Sequence, residues 1–68
     1  MVKKYSDLYL ECRRALLAQE EPQDAGMMAR NLLSYYTGHP QEYILSHMDL
    51  YAGEDVCRKM EDATLRLL

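Results

Sequence analysis

The stretch Ala29-Arg30-Asn31-Leu32-Leu33-Ser34-Tyr35-Tyr36-Thr37-Gly38-His39-Pro40 decides the fold, because an amphipathic stripe, a helix stop and a fresh helix start follow one another within it. Met28, Ala29, Leu32, Leu33 and Tyr36 recur at helical spacing, so one side of a helix is apolar. Gly38 can take the left-handed conformation that ends a helix, and Pro40 brings a φ already suited to a first helical turn. Two helices therefore meet here at a tight corner.

Upstream of the corner, the pattern places the start of this helix at Asp24, a good N-cap, and its end at Thr37. Glu20-Glu21-Pro22-Gln23 reads as a connector, since Pro22 disfavours the helical conformation at Glu21. Gly26 falls in the first turn, where its backbone entropy costs less than it would mid-helix. Before the connector, a first helix is expected from Ser6, whose hydroxyl can cap free amides, to about Gln19, with Tyr5 and Leu10 stapling its start and Asp7 in the positive first turn. Tyr5, Leu8, Tyr9, Cys12, Ala15 and Leu16 make one face, while Leu10 and Leu17 lie well round the cylinder. Only a strip of Asp7, Glu11, Arg14 and Ala18 remains for water, so this helix should pack on more than one neighbour.

Downstream, a short helix is expected from Pro40 to about His47, offering Tyr43 and Ile44, with Met48 just beyond. Two turns cannot stand alone in water, so neighbours must hold it. Asp49 to Gly53 forms the next corner, and a last helix runs from about Gly53 onward with Val56, Cys57, Met60, Ala63, Thr64 and Leu67 on one side. Its other side carries Glu54 with Arg58, Asp55 with Lys59 and Asp62 with Arg66, acid-before-base pairs four residues apart that support an exposed helix by about 0.2 to 0.5 kcal/mol each. The expected fold is an all-α bundle of four to five short helices occupying residues 1–68 as one domain.

Composition agrees with that. Of 68 residues 49% are hydrophobic, with 3 Gly and 2 Pro, so the chain can bury a core without low-complexity sequence. A chain this short removes only about 60% of its unfolded surface from water, which makes for a thin stability margin. The formal charge of −3, from 11 acidic and 8 basic residues, lacks the excess that phosphate neutralisation requires, which argues against direct nucleic-acid binding. No apolar stretch approaches the roughly 20 residues of a membrane span, and Met1-Val2-Lys3-Lys4 leads into mixed polar sequence rather than a signal-peptide core. No membrane partner and a cytoplasmic location are expected. Cys12 and Cys57 fall on or beside apolar stripes and read as buried thiols rather than a disulfide.

Reactive chemistry is hard to assemble from these residues. A zinc site would need about four Cys and His ligands in paired short spacings, whereas Cys12, His39, His47 and Cys57 are scattered singly. Glycines 26, 38 and 53 are too far apart for a phosphate-cradling loop. Tyr5, Tyr9 and Tyr36 sit on core faces, which leaves Tyr35 and Tyr51 as the exposed tyrosines, and the five methionines read as core filling. Candidate contact residues for a protein partner are the basic pairs Arg13-Arg14 and Arg58-Lys59, which otherwise are solvated charge, and Leu65, which points away from the last helix's stripe. The last helix also lacks a Gly, Asn or Pro stop before Arg66-Leu67-Leu68, so continuation into further sequence is expected.

Taken together, Ala15-Leu16-Leu17, the acidic connector Glu20 to Asp24, the helix Ala29 to Gly38, the short helix Gln41 to Leu45 and the amphipathic Ala52 to Leu68 resemble the N-terminal domain of the HemK or PrmC family. Those proteins are S-adenosylmethionine-dependent glutamine methyltransferases of peptide chain release factors. The resemblance covers nearly the whole chain, but it consists of helix order and leucine spacing, not reactive groups. The family's catalytic Asn-Pro-Pro-Tyr is absent, since Pro22 follows Glu21 and Pro40 follows His39, and so is its glycine-rich cofactor loop. The resemblance thus implies no catalytic, cofactor-binding or metal residue in this chain. It implies a monomeric positioning module whose partners are a release factor and a separate catalytic domain that binds S-adenosylmethionine. Two other readings stand beside it: a free-standing adaptor with an apolar groove, and a dimerising bundle built on a patch of Leu10, Leu17, Leu65 and Leu68.

Overall fold

A computed structural model describes residues 2–67 and contains α1 (Tyr5–Leu16), α2 (Pro22–Thr37), α3 (Gln41–Ser46) and α4 (Glu54–Leu67). The bundle is all-α, and the only extended pairing among the described residues is an isolated antiparallel bridge between Lys4 and Tyr51. Helix α1 packs against both α2 and α4, as its wide apolar arc requires, and α2 also touches α3 and α4. The core contains Leu8, Cys12 and Leu16 from α1, Ala25, Ala29 and Leu33 from α2, Ile44 from α3, and Cys57 and Met60 from α4. Small residues on α2 let its backbone come close to its neighbours, while Leu8, Leu33, Ile44 and Met60 fill the centre. Both thiols are free and buried.

The corner at Gly38 forms by the means its sequence indicates. Gly38 has φ 75°, its amide donates to Ser34 O at 3.0 Å, and Pro40 is the N-cap of α3. Thr37 Oγ1 donates to Leu33 O at 2.7 Å, giving a last-turn carbonyl of α2 a hydroxyl partner, and Ser34 Oγ donates to His39 O at 2.6 Å, tying the chain beyond the corner back to the helix. The short α3 is held by buried Ile44, by the Gln41 amide bonded to Asn31 of α2, and by a stack in which the His39 and His47 rings each lie 4.1 Å from the Tyr43 ring.

Five expectations require correction. Helix α1 begins at Tyr5, so Ser6 lies inside it and caps nothing; the amides of Tyr5 and Ser6 donate instead to Leu50 O and Met48 O, both at 3.0 Å. Backbone carbonyls from the α3–α4 corner thus do the work assigned to a local hydroxyl, and Asp7 contributes by accepting the Lys4 amide at 3.3 Å. The staple between Tyr5 and Leu10 is not made, because Tyr5 is buried whereas Leu10 is 53% exposed. Helix α2 begins two residues before Asp24: Glu21 is its N-cap and Pro22 takes the first helical position, where a missing amide costs nothing. The acid-before-base pairs of α4 do not close to ion-pair distance, and the ion pairs among the described residues involve Lys3 instead. Helix α1 also stops at Leu16, three residues short of Gln19, in a turn that carries the chain to α2.

Candidate functional site

Helices α1 and α4 run side by side, and the furrow between their outer faces gathers Lys3, Glu11, Arg14, Ala15, Glu61, Thr64 and Leu65. Its polar centre is the Lys3 ammonium, 2.9 Å from both carboxylate oxygens of Glu11 and 3.4 Å from Glu61 Oε1. One cation facing two carboxylates holds the N-terminal segment, α1 and α4 together. The hydrogen bond to Glu11, chiefly, raises the Lys3 pKa above the ordinary lysine value. Beside this cluster Leu65 is 67% exposed, an apolar group next to fixed charges.

The sequence-derived contact residues do not converge on one place. Arg14 and Leu65 border the furrow. Arg58 lies farther up α4, beside a depression of about 340 Å³ lined also by Glu54, Cys57 and Glu61. That is at the low end for a ligand pocket, and its rim is mostly charged, unlike the largely apolar lining such pockets usually have. Lys59 is exposed one residue on, and Arg13 faces α2. Leu10 on α1 and Leu17 just past its end are exposed one turn before and after Arg14, while Leu65 borders the furrow from α4. Leu68, which the dimerising reading also needs, lies outside the described residues.

Lys3 was not among the residues singled out from sequence, because nothing local marks it. Its partners are 8 and 58 positions away, and the second distance exists only once α4 has folded back. Tyr35 and Tyr51 are exposed, as their positions indicate, with Tyr35 edge-on to Tyr36 and Lys4 Nζ over the Tyr51 ring at 5.5 Å.

Gly26 lies inside α2 against Tyr9, Gly38 ends α2 and Gly53 precedes α4, so they offer no loop to surround an adenosyl group. No cluster of three His, Cys, Asp or Glu suited to a metal occurs among the described residues. No helix among the described residues is long and apolar enough to cross a membrane. What this furrow can supply is contact: a protruding leucine and oriented charges on two rigid helices. Comparison with protein-family models, curated proteins and solved structures gives no match.

Proposed function

We propose that this bundle is a protein-recognition module, the substrate-positioning domain of an S-adenosylmethionine-dependent protein-glutamine methyltransferase that modifies the Gly-Gly-Gln glutamine of peptide chain release factors. The observation that supports the reading is the register between helices and the segments carrying the resemblance. Ala15-Leu16-Leu17 closes α1, Ala29 to Gly38 is the second half of α2 and its left-handed stop, Gln41 to Leu45 lies in α3, and Ala52 leads into α4.

In such a role the module works by binding, and no step of methyl transfer passes through its residues. Contacts made away from the reacting glutamine provide orientation and remote binding energy, which lower the barrier only in the assembled enzyme. The furrow between α1 and α4 is the proposed contact, with Leu65 as the apolar anchor and Arg14 and the Lys3 cluster as its polar border. Titration calorimetry of the 68-residue chain against a release factor tests this. Saturable binding in the range of about 1–100 μM, weakened about tenfold by Leu65→Asp, is expected. No heat of binding, or binding indifferent to Leu65→Asp, contradicts it.

A further inference from the structure

A second surface, on the α1–α2 side, has the makings of an anion site. A methyl group placed on Gly26 would lie 2.9 Å from Tyr9 Oη, 3.8 Å from Arg13 Nε and 3.9 Å from Arg30 Nη1. A phenol and two guanidiniums therefore converge on the one α2 position that has no side chain. Among the described residues neither guanidinium has a carboxylate within 4 Å, since the ion pairs formed are those of Lys3. Both arginines are half-buried and held beside each other in a chain whose formal charge is −3. At the two guanidiniums themselves, donors outnumber acceptors.

Apolar groups frame the cluster. Leu10 and Leu17 stand three before and four after Arg13 on α1, Met27 stands three before Arg30 on α2, and all three are exposed. We propose that this face docks an acidic, amphipathic segment of a protein partner, seating a Glu or Asp carboxylate on Arg13, Arg30 and the Tyr9 hydroxyl while leucine-like side chains cover Leu10, Leu17 and Met27. A nucleic acid fits less well: Glu20, Glu21 and Asp24 at the adjoining turn repel a run of phosphates but leave room for a single carboxylate. The absent side chain at Gly26 lets the Tyr9 hydroxyl come in beside the two guanidiniums. The inference does not rest on the methyltransferase reading, and its centre, Arg13, faces α2 and not the α1–α4 furrow.

The test follows the arginine Nε–Hε resonances of the labelled chain while adding a short amidated peptide of leucine and glutamate at helical spacing. The expected result is saturable shifts at Arg13 and Arg30. Affinity should fall about tenfold or more when glutamine replaces glutamate in the peptide, and likewise in R13Q and in R30Q, whose circular dichroism should match the parent. Gly26→Ala, whose methyl would displace the Tyr9 hydroxyl, should weaken binding as well. Absence of shifts at those two arginines at about 1 mM peptide overturns the proposal. So does equal affinity for the glutamine peptide, or an oligothymidylate shifting the same resonances more strongly at equal concentration.

Discussion

The backbone amide of Lys3 donates to Sγ of Cys57 at 3.3 Å, joining the segment before α1 to the first turn of α4 across 54 positions of sequence. Lys3 is held at two further points: its carbonyl accepts the Ala52 amide at 2.8 Å and its ammonium meets Glu11 and Glu61. With the Tyr5 and Ser6 amides bonded to the 48–50 corner, the N-terminal segment works as a clasp that closes the bundle.

Backbone and side chain contribute unequally to that clasp. The Lys3 ion pairs are partly exposed, so Lys3→Met should cost only about 0.5–1 kcal/mol and the loss should shrink in high salt. Removing residues 1–4 deletes the backbone bonds too and should cost about 2 kcal/mol or more. Urea unfolding midpoints of both variants, at low and high salt, separate the two contributions.

Ile44 is the buried anchor of a six-residue helix. Ile44→Ala should cost about 2–5 kcal/mol, most of a stability on the order of 3–10 kcal/mol for a domain of this size. Thermal denaturation should show a broad, low transition or none. Leu45→Ala, at an exposed neighbour, should leave the transition within a few degrees.

Two glycines should respond oppositely to alanine. Gly38 has φ 75°, where a side chain is strained, so Gly38→Ala should destabilise by about 1–2 kcal/mol even though open space surrounds it. Gly53 has no positive φ and no atom within 4 Å of an added Cβ, so Gly53→Ala should be neutral or stabilising by up to about 1 kcal/mol. Chemical denaturation of the two variants side by side checks the sign of each.

Alkaline pH should unfold this protein early. Burial raises the pKa of Tyr5 and of the Cys12 thiol, with Tyr43 adding to the first and a Thr64 hydrogen bond opposing the second, and Glu11 raises that of Lys3. All three folded values lie above their unfolded ones. Their contribution is therefore complete below the ordinary values, about 8.5 for Cys and about 10 for Tyr and Lys, and is lost as pH climbs past them. The urea midpoint should hold steady from neutrality to about pH 8 and fall progressively above that. Cys12→Ser should not remove the later part of the fall.

Local grammar carried much of this fold. Gly38 and Pro40 mark the α2–α3 corner because a positive φ and a preset φ are properties of single residues, and the stripe from Leu8 to Leu16 marks a core face by spacing alone. What local grammar missed was long-range. Ser6 is a good cap by type, yet its amide is satisfied by Met48, whose nearness depends on two intervening helices. Gly26 reads as a tolerated first-turn residue, whereas it admits Tyr9 and Arg13 from α1 across a helix crossing, beside Arg30 one turn on along α2 itself. Opposite charges four apart on α4 promised pairs that the exposed side chains do not make. Of the contact residues, Arg14 and Leu65 meet at one furrow, and Arg13 belongs to a different face whose partner, Arg30, stands alone in sequence.

The recognition reading is tested most directly by adding an unlabelled release factor to the isotope-labelled chain and mapping the amide shifts. The account predicts changes concentrated at Lys3, Glu11, Arg14, Glu61 and Leu65, with the amides of α3 unmoved and the mapped shifts suppressed in Leu65→Asp. A spectrum left unchanged at saturating release factor, or one perturbed only around α3, would contradict it.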